Sequence, residues 1–441
     1  MSKNAMPFVL HKSLNGYHTL CVNSLAFSPN GLYFASAGRD GQVLVFSTHT
    51  GTLVKKYTAS SPPQSLTWDI NGAMIYVGLA SGEIVLLKVM EGNFFSRQWY
   101  KLIAHVGFMS SSIEGIHVAA LNGVVRAIAQ HPDTKQLIVA HGERVSVFTR
   151  VTQVNFEIVP GCDAIQVPVP VCQAENFVFS ARPKPVSVHA LAGKNEFVVA
   201  DEERGYGGFR ISATGPTCIW TTRERQRIGL SAISTDRTTM ASWNLWNGVD
   251  VWDLQNVIGV KGHIEVPNNF VNGRSLPLDL AFIDNDHVLL ASNVGSPAVL
   301  NVTRRAVVQT LDHCNRIEKV PICAAARVGD RSVVVTADRE RTTDTQIKIW
   351  MARSGRRGFF YAVLQWIFQW IFHSFQFVAF TLLMMMAAVY LDRQFRIHQG
   401  IALEKVLQML RGWWTYIQAV IWHTQTTDKM MVQSRRFFGI L

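Results

Sequence analysis

A repeat of about 40 residues constrains this chain of 441 residues more than any other feature of its sequence. A shift of 41 positions lays Leu25-Ala26-Phe27 on Leu66-Thr67-Trp68, and it carries Gly31 to Gly72. Each copy consists of short apolar runs between Gly, Asn, Asp and Pro turns, which is the pattern of short antiparallel strands. We assign seven copies, at residues 20–57, 64–100, 122–150, 185–220, 228–262, 277–311 and 320–352.

The copies resemble the repeats of the WD40 β-propeller family. The residues that carry the resemblance are Trp252-Asp253, Gly262-His263, Trp350 and the turn at Asp40-Gly41. It covers about residues 8–352 and implies an all-β fold, a seven-bladed propeller, which we assign to residues 1–352. Because only one copy keeps the Trp-Asp pair, the buried Asp–His–Ser–Trp network of the family is expected to be mostly absent.

Three segments stand outside the seven copies. Residues 7–11 precede the first copy, and the resemblance implies that this strand completes the last blade and leaves the ring without an open edge. Residues 90–121 and 151–185 are long insertions. Insertions in repeat arrays usually project from one face, often the binding face, so we expect these two to contact protein partners.

The propeller is followed by an apolar run. Residues 358–391 contain no Asp, Glu, Lys or Arg, and a bilayer core requires about 20 apolar residues in a helix. We therefore predict a single tilted transmembrane helix within residues 353–392. One helical face carries four polar residues and either lies at the headgroup level or faces another helix. These residues are Gln365, Gln369, His373 and Gln376. A re-entrant loop that bends near residues 373–374 is the alternative to one span.

Residues 393–441 form the last segment. Apolar residues recur at helical spacing over residues 403–422, which predicts an amphipathic helix on a membrane surface. A helix packed on a partner or on the propeller is the alternative. The chain carries a net charge of +11, of which +7 lies in residues 353–441. This excess beside the apolar run suits anionic lipid headgroups, and nucleic-acid binding is not expected.

The sequence also indicates the compartment. Six cysteines are scattered without a CxxC pair, as expected for buried thiols in a reducing environment. The N-terminus lacks the apolar core of a signal peptide. We therefore expect a propeller in the cytosol, attached to an internal membrane such as the endoplasmic reticulum.

The sequence predicts no catalytic, cofactor-binding or metal-binding residue, and no enzymatic activity. GxxxxGK[ST], HExxH and GxSxG motifs are absent. Residues 204–208 resemble a phosphate loop only superficially, and we expect a loop between strands there. His131 and His141 occupy turn positions, where local hydrogen bonds are expected.

These observations favour a membrane-anchored scaffold for protein–protein interactions. Its partners would bind the propeller faces and the insertions at 90–121 and 151–185, while residues 358–391 and 403–422 would contact lipid. The order of propeller and single span is also similar to that of Sec12-like guanine-nucleotide exchange factors for a small GTPase at the endoplasmic reticulum. Those proteins have a protruding loop in the first blade, whereas the first copy in this chain is compact from Leu25 to Phe46. A hydrolase or lyase propeller is a further alternative that lacks site residues.

Overall fold

The structure is a computed structural model, and it describes most of the chain up to residue 352. The described residues are 7–89, 111–152, 155–168, 182–191, 193, 195–212, 215–222, 228–255, 260–266, 277–314, 319–329, 331–338 and 345–352. Among them, no helix has the length and the apolar character needed to cross a bilayer. Residues 358–391 and 403–422 lie outside these ranges, so the helices expected there stay predictions.

The described residues form seven antiparallel sheets of a β-propeller, as the sequence predicted. The first strand, β1, is Phe8–Asn15. Blade 1 contains β2 (Val22–Phe27), β3 (Tyr33–Gly38), β4 (Gln42–Ser47) and β5 (Leu53–Thr58). Blade 2 contains β6 (Pro63–Trp68), β7 (Met74–Leu79), β8 (Glu83–Lys88) and, after the short β9 (Ser111–Ser112), β10 (Gly115–Ala120). Blade 3 contains β11 (Val125–Gln130), β12 (Leu137–His141), β13 (Arg144–Arg150) and β14 (Phe156–Ile158).

The remaining blades repeat this arrangement. Blade 4 contains β15 (Pro185–Leu191), β16 (Glu196–Asp201), β17 (Gly205–Ser212) and β18 (Gly215–Thr221). Blade 5 contains β19 (Ser231–Ile233), β20 (Thr239–Trp243), β21 (Gly248–Asp253) and β22 (Val260–Glu265). Blade 6 contains β23 (Leu280–Phe282), β24 (His287–Leu290), β25 (Ala298–Asn301) and β26 (Ala306–Thr310). Blade 7 contains β27 (Ile322–Val328), β28 (Arg331–Ala337) and β29 (Gln346–Ala352).

The N-terminal strand closes the ring. In each blade the first strand lies nearest the axis, and the innermost strands contact one another in the order β2, β6, β11, β15, β19, β23 and β27, then β2 again. Strand β1 pairs with β29 in antiparallel register, from Phe8 opposite Ala352 to Asn15 opposite Gln346. The prediction that this strand completes the last blade is therefore confirmed, and blade 7 contains both ends of the propeller chain.

The core lies between the blades. Each sheet packs against two neighbours, so its second and third strands are buried on both faces and are mostly apolar, as in β3 and β7. Phe34 and Phe46, for example, stack with their ring centroids 5.2 Å apart. The outer strands face solvent on one side, so exposed and partly buried residues alternate along them, as in β26. This difference explains why inner strands are easier to detect in the sequence than outer strands.

The expected boundaries of two insertions were wrong. Strand β10 lies inside the predicted insertion 90–121, and β14 lies inside the predicted insertion 151–185. Each is the outer strand of its blade, so copies 2 and 3 extend beyond residues 100 and 150. Strand β9 also pairs in parallel with β5, which makes blade 1 a five-stranded sheet. Both outer strands are short or weakly alternating, so they have too little apolar periodicity to be recognised as parts of their repeats.

The ring has two faces, which we call top and bottom. The innermost strands begin at the top face, where Asn23 Nδ2 donates to Pro63 O over 2.9 Å and Ser65 Oγ to Val125 O over 3.2 Å. They end at the bottom face, where Gly193 N donates to Asp133 Oδ2 over 2.8 Å. Because adjacent strands alternate in direction, the connection from β8 to β9 starts at the bottom face and that from β14 to β15 at the top face. The two insertions therefore leave the ring from opposite faces, not from one.

Candidate functional site

A channel with a volume of about 950 Å³ runs along the propeller axis. The innermost strands leave it open because they place small side chains around it. The small lining residues include Ser24, Ala127, Ala129, Ala190, Ala232, Ala281 and Ala325.

The top mouth of the channel is polar. Lys184 forms an ion pair with Glu202, and the Arg126 guanidinium donates to the carbonyl of Gly142. Asp279 lines the same channel and accepts the N–H groups of Leu280 at 2.9 Å and Cys323 at 3.3 Å. Burial raises the pKa of Asp279 to about 7, although these two backbone hydrogen bonds act in the opposite direction. The mouth therefore combines mixed charge with one carboxyl group that titrates near neutrality.

A histidine and two serines join blades 4 and 5 at the channel wall. His189 Nε2 lies 2.9 Å from Ser231 Oγ, which lies 2.6 Å from Ser187 Oγ. Burial lowers the pKa of His189 to about 4, so its imidazole is neutral at neutral pH. A serine next to a neutral histidine provides two of the groups that a nucleophilic site requires. In this protein, however, the two side chains bond to each other across adjacent strands of two blades. We assign the cluster to holding the two blades together.

Trp246 stands at the top face on the turn between β20 and β21, and its side chain is 61% exposed. Asn244 Oδ1 accepts the N–H groups of Trp246, Asn247 and Gly248 at 3.0–3.1 Å, which fixes the turn. Leu245 has a φ of +58° and is buried at the channel. The corresponding turns of blades 1, 2 and 4 use a glycine for a left-handed residue, at Gly41, Gly82 and Gly205.

A left-handed leucine costs about 1–2 kcal/mol relative to the ordinary backbone regions. The blade 5 turn contains Leu245 in this conformation despite the cost. Leu245 is buried at the channel, and Trp246 is exposed beside the channel mouth. Tryptophan, tyrosine and arginine are enriched among the residues that dominate the binding energy of protein interfaces. The arrangement is therefore suited to binding a protein segment at the top face.

Parts of the buried network of the family survive in blades where the sequence did not reveal them. In blade 1, His18 Nδ1 lies 3.1 Å from Asp40 Oδ1 and its Nε2 lies 2.8 Å from Ser36 Oγ. Burial raises the pKa of Asp40, but hydrogen bonds from His18, Thr19 and Gln42 and the charge of His18 outweigh it, so this pKa is lowered. Phe46 takes the place of the tryptophan.

Blades 5 and 7 keep the tryptophan. Trp252 Nε1 donates to Ser242 Oγ over 3.2 Å. Trp350 Nε1 donates to Thr336 Oγ1 over 2.9 Å, and His313 Nδ1 lies 2.7 Å from the same hydroxyl. Both tryptophans are buried, and both lie on the third strand of their blades. The expectation that the buried network is mostly absent thus holds for blade 2. Blades 1 and 7, however, keep more of the network's hydrogen bonds than we expected.

The residues that the sequence singled out occupy structural positions. His131 Nδ1 accepts the N–H groups of Asp133 at 3.2 Å and Thr134 at 3.3 Å, the local bonds expected at this turn. His141 lies 3.0 Å from Asn122 O and 2.9 Å from Ser146 Oγ. Residues 204–208 are a turn that continues into β17. In the described part of the chain, no three His, Cys, Asp or Glu side chains are grouped so that they could hold a metal ion.

Comparison with known proteins supports the repeat. The sequence profile of the family described as WD domain, G-beta repeat matches residues 9–47, which correspond to β1 through β4. Centriole proteome protein 16 of Chlamydomonas reinhardtii is 32% identical over 84 residues, which are 19% of this chain. That stretch is only 4% of the length of the algal protein, so the similarity concerns one small part of it.

Proposed function

We propose, from the premise that residues 8–352 form a WD40-repeat β-propeller, that this protein is a scaffold for protein–protein interactions attached to a membrane by its C-terminal apolar run. WD40 propellers are typically non-enzymatic scaffolds, and the fold and the profile match point to that general role. The membrane attachment and the cytosolic position of the propeller are the further steps of the proposal. The membrane attachment is supported by the uncharged residues 358–391, and the cytosolic position is supported by cysteines that are scattered without a CxxC pair.

The observation that carries the scaffold role is the Trp246 turn at the mouth of the channel. The turn is held by three backbone hydrogen bonds to Asn244 and contains a left-handed leucine, so its geometry exists before a partner binds. A turn whose backbone is already ordered loses little conformational entropy on binding, and this increases the affinity. We place the main protein-binding site at the top face around Trp246.

The exchange-factor alternative is not supported by blade 1. The connections between β2, β3, β4 and β5 are turns of three to five residues, all of them described. A protruding loop that could engage a GTPase is therefore missing from the part of the chain where the resemblance requires it.

Comparative proximity labelling in cells that express the full chain tests the scaffold role. Trp246→Ala should reduce the labelling of top-face partners by about tenfold or more, since interface tryptophans typically contribute at least about 2 kcal/mol. Ile219→Ala is the matched control, because Ile219 is 39% exposed on the outer strand of blade 4. Equal neighbour profiles for the parent and the Trp246 variant would show that the top face around Trp246 is not the binding site.

A further inference from the structure

The turn that carries Trp246 is connected to the interior of blade 5 by a chain of hydrogen bonds. The Asn244 side chain uses both ends of its amide. Its Oδ1 accepts the three N–H groups of the turn, and its Nδ2 donates to Asn247 Oδ1 over 3.0 Å and to Asp250 Oδ1 over 3.4 Å. Asp250 Oδ1 also lies 2.7 Å from His263 Nδ1. Asp250 and His263 are therefore linked to the turn through Asn244.

Asp250 determines which way the Asn244 amide points. An ionised carboxylate only accepts hydrogen bonds, so it attracts the Asn244 Nδ2 group and leaves Oδ1 for the backbone N–H groups of the turn. The opposite orientation would place two acceptors together at Asp250 and direct the NH2 group at backbone donors. His263 lies on β22 and Asn244 follows β20, so the carboxylate on β21 is held from both neighbouring strands.

The packing of the sheet does not require a carboxylate at this place. Leu44 of blade 1 occupies the equivalent register, since Leu44 pairs with Ser36 as Asp250 pairs with Ser242. Asp250 is 4% exposed, and a buried carboxylate is costly unless it is paired. Burial raises the pKa of Asp250, although the hydrogen bond and the charge of His263 act in the opposite direction. The contacts of Asp250, and not its packing, therefore explain its presence in the third strand.

Further contacts fix the same turn. Asn244 N donates to Gly248 O over 3.1 Å, and Val266 N donates to Asn247 O over 3.0 Å. The His263 ring lies against the end of the turn, because a Cβ added to Gly248 would lie 2.8 Å from His263 Cε1. A residue with left-handed backbone that is not glycine persists only where its surroundings impose that conformation. These contacts supply such surroundings.

We infer that Asp250 and His263 are positioning residues for the binding site at Trp246. They act through Asn244, whose fixed amide holds the turn in one conformation before a partner binds. This order reduces the conformational entropy that the turn loses on binding. The inference rests on the proposed scaffold role of the top face.

A swap of donor and acceptor tests the inference in the full chain. Asp250→Asn provides a group that both donates and accepts, so the Asn244 amide is no longer held in one orientation. Asn244→Asp places two carboxylates side by side, and these repel each other. The double variant restores a donor opposite an acceptor, and the amide introduced at position 250 has a second hydrogen for His263 Nδ1. Asp40→Asn is the matched control, because it changes the other Asp–His pair, that of Asp40 and His18 in blade 1.

Two readouts separate positioning from folding. The first is fluorine NMR of the full chain in detergent, labelled with fluorotryptophan, in which Trp246→Phe identifies the Trp246 signal. This signal should shift or split in both single variants and keep its parent position in the double variant and in Asp40→Asn. The second readout is proximity labelling of top-face partners in cells. It should fall by about fivefold in each single variant, the effect of one net hydrogen bond, and recover to within about twofold in the double variant.

The outcomes distinguish the inference from the proposed function. A Trp246 signal that does not move in the single variants, or does not recover in the double variant, overturns the inference. Unchanged labelling in Asp250→Asn, when Trp246→Ala reduces labelling, also overturns it and leaves the proposed function in place. Failure of Trp246→Ala to reduce labelling overturns both. If the single variants do not fold, a folded double variant with the parent signal supports the inference, and one with a shifted signal overturns it.

Discussion

Removal of the Trp350 side chain tests whether the buried network holds blade 7 together. The side chain is 5% exposed, it packs in the largest core cluster, and its Nε1 donates to Thr336 Oγ1 over 2.9 Å. Emptying a buried tryptophan site costs about 3–5 kcal/mol, of which the hydrogen bond accounts for about 1 kcal/mol. We therefore expect Trp350→Ala to lower the free energy of unfolding by about 3–5 kcal/mol.

Trp350→Phe separates packing from hydrogen bonding. Phe46 of blade 1 occupies the equivalent register, since Phe46 pairs with Phe34 as Trp350 pairs with Val334. A phenylalanine at position 350 should therefore pack, and the cost should fall to about 1–2 kcal/mol for the lost N–H donor and the smaller ring. The Thr336 hydroxyl keeps His313 as a partner at 2.7 Å, which limits the loss.

The assay is thermal unfolding of the purified full chain in detergent, followed by circular dichroism of the β-sheet. For a unit of this size, Trp350→Ala should lower the Tm by about 4–7 °C and Trp350→Phe by about 1–3 °C. Trp246→Ala is the control, because this tryptophan is 61% exposed and its loss should change stability by less than about 0.5 kcal/mol. A Trp350→Ala protein that melts within about one degree of the parent would refute the assignment of Trp350 to the core of blade 7.

Three other predictions concern the channel and the membrane segment. Because the pKa of Asp279 is about 7 in the folded protein and its ordinary value is 3.8, the stability that this group contributes is present at low pH and is lost as the pH rises through 7. We therefore compare the unfolding free energies of the parent and Asp279→Asn by urea titration at several pH values. The difference between them should change steadily between pH 3.8 and about pH 7. A difference that stays constant over this range would contradict a buried carboxyl group with a raised pKa. Deletion of residues 358–391 should move the protein to the soluble fraction, whereas alkaline carbonate should not extract the intact chain from membranes. Recovery of the intact chain in the carbonate supernatant would show that the apolar run does not span the bilayer. A glycosylation sequon introduced near residue 430 should be modified in microsomes if one span places the tail in the lumen, and an unmodified sequon with a protease-accessible tail would favour the re-entrant loop.

The number of blades was predictable from local signals. Gly31 and Gly72, and Gly41 and Gly82, mark equivalent turns with left-handed backbone, and the apolar runs between them are buried strands. Turn chemistry and apolar alternation act over a few residues, so they can be seen in the sequence without any knowledge of contacts. The closure of the ring by the strand at residues 7–11 was instead implied by the resemblance to WD40 propellers, and the pairing of this strand with β29 confirms it.

Other features were decided by contacts between distant residues. Asp40 and His18 are 22 positions apart, and His189 meets Ser231 across two blades, so no spacing rule identifies either pair. The positions of the outer strands β10 and β14 are determined by pairing with the free edges of β8 and β13. The weak apolar alternation of these two strands does not determine them.

By itself, the sequence of this protein determined the repeat, the all-β class and the position of the apolar run, because turns and apolar periodicity are properties of neighbouring residues. Only the tertiary structure decided which side chains meet at the channel, that the insertions leave from opposite faces, and that Trp246 is exposed at the channel mouth. These features depend on contacts between strands that are remote in the chain and adjacent in the ring.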